Sequence, residues 1–185
     1  MRRVSAIVAG VLSLLLVGLV RTATPPYTPS EYDVLPDESG VGTHPDYFVE
    51  QRGFWLADEL THTDAYGEVS RLVTDYVFVV MRARVTPFNR TLLSTTELVT
   101  PDGYTYAAIA PYPFPTLTVA HVGQTTTVNY LFEVPEDKVD GAFVSFHGQR
   151  RDGIQPMWPR LRFDVVEPTV VGSFEVPPNT VVPRR

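Results

Sequence analysis

Histidine and cysteine are the first residues to consider for chemistry in this sequence. The chain has 185 residues, of which four are histidine and none is cysteine. The histidines, separated by 18, 59 and 26 residues, are His44, His62, His121 and His147. No two share the close spacing of zinc or copper ligands, so we expect them at the surface or at strand edges. Without cysteine there is no lipid-modified cysteine, disulfide or thiolate metal site.

Carboxylates occur in three clusters that invite an acid/base interpretation: Asp58-Glu59, Glu136-Asp137, and the stretch Asp33 to Glu38. Hydrolysis needs two carboxyl groups held rigidly ~5 to 10 Å apart across a cleft. These clusters lie beside proline, glycine or strand ends, where solvated turns are expected. The third cluster offers oxygen ligands to calcium, but its spacing fits no known calcium loop. There is also no Gly-x-Ser-x-Gly turn and no glycine-rich phosphate loop, so we predict a non-enzyme without cofactor or metal.

The N-terminus has the pattern of an export signal. Val4 to Val20 are 17 residues without charge, preceded by Arg2 and Arg3. A helix of that length spans roughly 25 Å, slightly less than a ~30 Å hydrocarbon core, and Arg21 could snorkel to complete the span. Cleavage after Ala23 would place Arg21 where signal peptidase needs a small residue. We therefore predict that residues 1–21 are a retained signal anchor, with cleavage as the alternative, in a single-pass cell-membrane protein whose remaining residues are extracytoplasmic.

Residues 22–52 are rich in proline and acidic side chains, with no basic residue before Arg52. This composition is typical of a stalk or an extended arm. A solvated spacer is one interpretation. An arm docked on a partner is the other, because a spacer would not need its aromatic residues, Tyr27, Tyr32, Tyr47 and Phe48.

The charge of the exported part excludes some partners. Residues 22–185 carry 12 basic and 21 acidic side chains, a net charge of −9. Such a domain repels nucleic acid and anionic lipid headgroups. Only Lys138 among the 15 basic residues is lysine, a bias associated with GC-rich genomes such as those of actinobacteria.

Two long alternating runs indicate the fold. Val77 to Val85 and Thr126 to Val134 alternate with period two, and Pro87 and Pro135 end them. This pattern predicts strands with one buried face. Shorter runs fill the interval, and Pro101-Asp102-Gly103 is a tight-turn signal. We predict an antiparallel β-sandwich over residues 53–176, a frayed tail at 177–185, and these core residues: Val77, Val79, Met81, Val128, Tyr130 and Phe132.

The order of elements resembles a bacterial domain-of-unknown-function family of membrane-anchored extracellular immunoglobulin-like sandwiches. The resemblance covers about residues 67–148. It is carried by the strand Tyr76 to Thr86, the Pro-Asp-Gly-Tyr hairpin at 101–104, the Val128 to Pro135 strand opened by Gly123-Gln124, and the strand Ala142 to Phe146. An asparagine usually closes the first strand in that family, whereas this chain has Thr86-Pro87-Phe88-Asn89. The resemblance implies an immunoglobulin-like all-β fold behind one transmembrane helix and an outside location, and it supplies no catalytic residues.

Two features are candidate binding elements. Tyr112 and Phe114 alternate with three prolines in a stiff loop at 110–115. Trp158 and Arg160 belong to a basic and aromatic cluster that also holds Arg150, Arg151 and Arg162. Aromatic and arginine side chains dominate interface energetics. The alternatives are a loop folded over one end of the sandwich and a tryptophan that caps the core.

We therefore predict a non-catalytic envelope interaction module that docks on another membrane or envelope protein through Tyr112, Phe114, Trp158 and Arg160. A domain that binds a small ligand, carbohydrate or lipid, is the alternative. Confinement to one membrane raises the effective concentration of the partner without any new contact.

Overall fold

The structure, a computed structural model, describes residues 30–89, 95–116, 120–147 and 157–183. Within these ranges the chain forms eleven β-strands and one 3-10 turn, Glu136–Lys138. The strands are β1 (Ser30–Val34), β2 (Val41–His44), β3 (Tyr47–Thr63), β4 (Val69–Pro87), β5 (Thr95–Val99), β6 (Thr105–Ala107), β7 (Gln124–Val134), β8 (Phe143–His147), β9 (Met157–Asp164), β10 (Thr169–Glu175) and β11 (Thr180–Pro183). The predicted all-β class is confirmed.

The strands form two sheets that enclose one main core. Sheet A has the order β1-β9-β8-β5-β6, and sheet B has the order β10-β3-β4-β7-β11, with β2 also paired to β3. The pairings described are antiparallel except that of β10 with β3, which is parallel. Apart from Ser30 of β1, both sheets lie in the compact unit Glu31–Arg185. The domain is therefore a β-sandwich.

The alternation in β4 and β7 selects the core as predicted. All six predicted core residues, Val77, Val79, Met81, Val128, Tyr130 and Phe132, are at most 6% exposed and belong to the main cluster. From sheet A, Phe146 meets the ring of Tyr130 edge-on at 5.0 Å between centroids. The register of both long strands is confirmed.

The prediction that each long strand has only one buried face was wrong for the middle of sheet B. Phe78, Val80 and Leu131 point to the opposite face and are also buried, in a second apolar cluster. Phe114, in the loop at 110–116, packs against them there, and Phe174 of β10 contributes to the cover. A sheet covered on both sides requires apolar residues at consecutive positions, which is what Val77–Met81 provides.

The turn at 101–103 folds as its residue types predict. The Gly103 nitrogen donates to the Thr100 carbonyl at 2.9 Å, and Gly103 has a φ of 86°. A residue with a side chain rarely adopts this left-handed conformation, so glycine suits the position. The turn joins β5 to β6.

The predicted arm at 22–52 is corrected where the structure describes it. Residues 30–52 supply β1, β2 and the start of β3, so this part belongs to the sandwich rather than to a stalk. The Cβ of any residue replacing Gly42 in β2 would lie 2.8 Å from Cζ of Phe163 in β9, which shows how closely this strand meets the other sheet. Edge strands tolerate proline and charge, so composition alone misplaced the boundary.

The predicted frayed tail is also corrected, because β11 pairs with β7 from Thr180↔Thr127 to Pro183↔Gln124. The anchor prediction for residues 1–21 lies outside the described residues. Among the residues that the structure describes, no helix has the length and apolar character needed to cross a membrane.

Candidate binding surface

The loop at 110–116 presents one aromatic residue to solvent and buries the next. Tyr112 is 97% exposed, whereas Phe114 is 7% exposed. The Phe114 nitrogen donates to the Pro111 carbonyl at 2.8 Å, which closes a tight turn around Tyr112, and the Tyr112-Pro113 peptide bond is cis. Three prolines restrict φ in this loop, so little conformational freedom remains to be lost when Tyr112 meets another molecule.

Phe114 fixes the loop to the outer face of sheet B. It packs into what we call the outer cluster, a set of buried residues on this face: Ala57, Leu60, Phe78, Val80, Phe114, Leu131 and Val176. The His62 ring lies 6.1 Å from the Phe114 ring, and its Nδ1 is 3.0 Å from the Val176 carbonyl oxygen. The loop is thus both a lid on the outer cluster and a mount for Tyr112.

Two further tyrosines are exposed at positions close in sequence to residues that contact or belong to the outer cluster. Tyr66 is 96% exposed at the turn between β3 and β4, only four residues beyond His62. Asp64 shapes this turn, because its Oδ1 accepts hydrogen bonds from the Tyr66 nitrogen at 2.8 Å and the Glu68 nitrogen at 2.9 Å. Tyr76 is 57% exposed and precedes Phe78 of the cluster by two residues. We call Tyr66, Tyr76 and Tyr112 the tyrosine surface.

Arg160, the second candidate element, is engaged within the domain. Its Nη2 and Nε lie 2.5 and 2.7 Å from Asp33 Oδ1 in β1. Arg162 Nη1 lies 3.5 Å from Asp33 Oδ2, and Arg162 Nε donates to Asp164 Oδ1 at 2.7 Å. These four side chains form a charge ladder on the outer face of sheet A, so Arg160 holds β1 against β9.

Aromatic packing and hydrogen bonding reinforce this charge ladder. The Arg162 guanidinium carbon lies 4.1 Å from the centre of the Phe143 ring, a cation–π contact. The hydrogen bond to Asp164, assisted by Asp33, raises the pKa of Arg162 above its ordinary value. The side chain of Trp158 and residues Arg150 and Arg151 lie outside the described residues, and the backbone of Trp158 belongs to β9.

The histidines have separate surroundings. His44 is buried and stacks on Tyr47 with 4.3 Å between ring centroids, and His147 lies 2.9 Å from Ser145 Oγ and 3.6 Å from Glu97. His62 faces Phe114, whereas His121 is exposed. No group of three or more potential metal ligands comes together in the described part of the chain.

Sequence reasoning missed two contributors to these surfaces. Tyr66 lies in Asp64-Ala65-Tyr66-Gly67, a turn signal that could have marked it as a hairpin tip. Asp33 had no such signal, since its partners Arg160 and Arg162 are 127 and 129 residues away. The structure brings Tyr112 and Phe114 into one loop and places Arg160 on the outer face of the other sheet.

No protein-family model matches the sequence, and no curated protein matches it. Among solved structures, the chain is similar to an uncharacterized β-sandwich protein from Clostridium difficile 630. The two are 12% identical, the comparison covers 75% of this chain and 99% of the other, and the TM-score is 0.44. The assignment as a β-sandwich protein therefore depends on the two sheets described above.

Proposed function

We propose that this protein is a non-catalytic interaction module of a cell envelope. In this proposal residues 1–21 anchor an extracytoplasmic, immunoglobulin-like sandwich in the membrane, and the sandwich docks on another membrane or envelope protein. The uncharged run from Val4 to Val20 behind Arg2 and Arg3 supports the anchor. A protein held in the same membrane as its partner needs only a small contact surface, because the effective concentration is high.

The observation that carries the docking proposal is the contrast between Tyr112 and Phe114. The Tyr112 side chain is almost wholly exposed to water, whereas Phe114, two residues later, is buried in the outer cluster and holds the loop backbone in place. Tyrosine on a rigid loop supplies a large contact area at a low entropic cost, which is the character of an interface hot spot. In this proposal Tyr66 and Tyr76, which are also exposed, contribute to the same interface.

A double variant of full-length protein in its own membranes tests the proposal. Tyr112→Ala combined with Tyr66→Ala should leave folding intact, because both side chains are more than 95% exposed. After extraction in mild detergent, mass spectrometry should find a partner with the native protein that the double variant no longer retains. Tyr104→Ala is the matched control, because Tyr104 is 64% exposed on the β5–β6 turn, which belongs to sheet A. A partner retained equally by all three proteins would exclude this surface.

The exposed Tyr112 ring between two prolines also favours a second candidate function, the binding of a carbohydrate or lipid, since a flat aromatic ring can stack on an apolar sugar face. This function requires a soluble glycan or lipid that binds the purified protein and no longer binds Tyr112→Ala. Such binding, without any retained protein partner, would replace the docking proposal.

The placement has its own test. Added protease should remove the domain in spheroplasts while an N-terminal tag stays protected, and the protein should fractionate with membranes. A soluble mature form that begins near Thr24 would show that the N-terminal segment is cleaved instead.

A further inference from the structure

We propose that a cleft at one end of the sandwich binds an arginine or lysine side chain presented by a peptide segment of a partner protein. This inference concerns a surface distinct from the tyrosine surface. It does not depend on which molecule, if any, meets Tyr112.

The cleft lies where two connections pass from one sheet to the other. One runs from β7 to β8 through the 3-10 turn, and the other runs from β9 to β10 through 165–168. Leu56 of β3 completes the wall. The cleft has a volume of about 660 Å³, within the range of sites that hold a side chain together with flanking backbone.

Local hydrogen bonds hold the two connections in place. The Val165 nitrogen donates to the Ala142 carbonyl at 2.9 Å, and the Ala142 nitrogen donates to the Val139 carbonyl at 3.0 Å. A Cβ added at Gly141 would lie 3.1 Å from Cγ of Pro101, so the β5–β6 turn packs directly behind this wall. The cleft is therefore formed before any ligand arrives, which lowers the entropic cost of binding.

The wall of the cleft is largely apolar. It is formed by Leu56, Val139, Ala142, Val165, Val166 and Pro168. Val166 is 65% exposed, so part of this apolar surface faces solvent. Such a wall suits the aliphatic stem of lysine or arginine, which packs on apolar surface while its charged head stays near polar groups.

The charges around the cleft are unbalanced. Glu136, Asp140 and Glu167 are exposed and make no ion pair with any described residue. Among the described residues, Arg162 also lines the cleft, but it is paired with Asp164, another lining residue, and with Asp33. The nearby Lys138 is paired with Asp102 at 2.6 Å. An apolar wall with three uncompensated carboxylates is complementary to a cationic head on an aliphatic stem.

Other occupants fit these observations less well. Anions would meet three like charges, and the cation in the described lining, Arg162, is already paired with Asp164 and Asp33. Metal ions would need at least three ligands at one point, and no such group exists among the described residues. An uncharged apolar ligand would pack on the wall but would leave the carboxylates without an ion-pair partner.

The test uses three tripeptides: acetyl-Val-Arg-Val-amide, the same peptide with neutral citrulline in place of arginine, and the same peptide with glutamate. Each carries a neutral fluorophore, and binding to the full-length protein in non-ionic detergent is followed by fluorescence anisotropy. We expect the arginine peptide to bind at least about tenfold more tightly than the citrulline peptide. A photoreactive version should crosslink to 136–142 or 164–168. Equal binding of the arginine and citrulline peptides would overturn the proposal.

Two matched triple variants separate the site from general charge. The first variant combines Glu136→Gln, Asp140→Asn and Glu167→Gln. It should lower the affinity for the arginine peptide by about tenfold. The control, Glu38→Gln, Glu68→Gln and Asp75→Asn, removes the same charge from exposed positions elsewhere and should change affinity by less than about twofold. Equal weakening by both variants would show non-specific attraction and overturn the proposal.

A third variant keeps the test decisive if the first triple variant is unstable. Val166→Lys should place an additional cation, not paired with Asp33 or Asp164, in the cleft and abolish binding, with all carboxylates intact. Unchanged binding to Val166→Lys would overturn the assignment to this cleft. Putrescine carries amino groups but no peptide backbone. If it bound more tightly than the arginine peptide, the proposal that the ligand belongs to a peptide segment would be overturned.

Discussion

Sheet A and sheet B carry different chemistry on the faces that point away from the main core. On sheet A the outer face bears the charge ladder, in which Asp33, Arg160, Arg162 and Asp164 neutralise one another over the Phe143 ring. On sheet B the outer face bears the outer cluster, closed by Phe114 from a proline-rich loop. The outer face of sheet A is therefore exposed to water through paired charges. The outer face of sheet B is apolar and is covered by a loop. Tyr112 is exposed on the second face because the loop that covers the outer cluster must itself turn in solvent.

A substitution in the main core between the sheets should have the largest effect on stability. Val79→Asp would place an unpaired charge in a site with 0% exposure, at a cost of several kcal/mol against a total stability of about 5 to 15 kcal/mol. We expect the variant to be unfolded by circular dichroism at 25 °C. Val170→Asp in β10 is the control, since Val170 is 75% exposed and should keep its melting temperature. A folded Val79→Asp protein would mean that the main core does not dominate stability.

The outer cluster should contribute less to the free energy of unfolding than the main core does, but clearly more than exposed side chains do. Phe114→Ala removes a buried ring and leaves a cavity, so we expect a loss of about 3 kcal/mol in the free energy of unfolding. Tyr112→Ala in the same loop should change it by less than about 0.5 kcal/mol. Urea denaturation of both variants measures the difference. Similar losses for the two would contradict the division of the loop into a lid and an exposed mount.

The charge ladder should contribute less to the free energy of unfolding than the outer cluster does. We expect a coupling energy of about 0.5 to 1 kcal/mol between Asp33 and Arg160, because the pair is close but partly solvated. A double-mutant cycle with Asp33→Asn and Arg160→Gln, measured by urea denaturation, isolates this energy. A coupling of several kcal/mol would place the ladder on a par with the outer cluster.

The isolated ion pair between Asp102 and Lys138 should have the smallest effect on stability. Its contribution can be recognised because it should depend on pH. Hydrogen bonds from Lys138 and then Thr100 hold the pKa of Asp102 below its ordinary value of 3.8. A carboxylate whose pKa is lowered by folding stabilises the folded state above its unfolded pKa, and the contribution is lost as the pH falls through the folded pKa. Asp102→Asn should therefore be slightly less stable than the native protein at pH 7, and the difference should close below about pH 4. A difference independent of pH would mean that the pair acts through packing.

The sequence predicts the centre of the domain better than its edges. Alternation at Val77, Val79 and Met81 reports burial directly, because side chains in a strand point to opposite faces in turn. The edges depend on pairings between distant segments. Asp33 lies in the segment that the sequence predicts to be a stalk or an arm, because its partners lie more than 120 residues away and give no local signal.

The candidate site shows the same limit on a smaller scale. Tyr112 and Phe114 occupy equivalent places between prolines, and no local rule separates the exposed ring from the buried one. The apolar patch on Phe78, Val80 and Leu131 decides which ring is buried. That patch could have been suspected from consecutive apolar residues in β4. A covering role for the loop was an alternative that the sequence left open, but the face that it covers could not be predicted.

The parallel pairing of β10 with β3 has a consequence for how the chain acquires its structure. His62 and the Val176 carbonyl, which meet beside this pairing, are 114 residues apart, and no local hairpin can align the two strands. Long-range pairings of this kind slow folding, because a large loop must close before any contact compensates for its entropy. During synthesis at about 5 to 20 residues per second, one edge of β3 stays without β10 for several seconds. A chaperone that binds extended segments would therefore have a binding site on the newly made chain until β10, at Thr169–Glu175, has emerged.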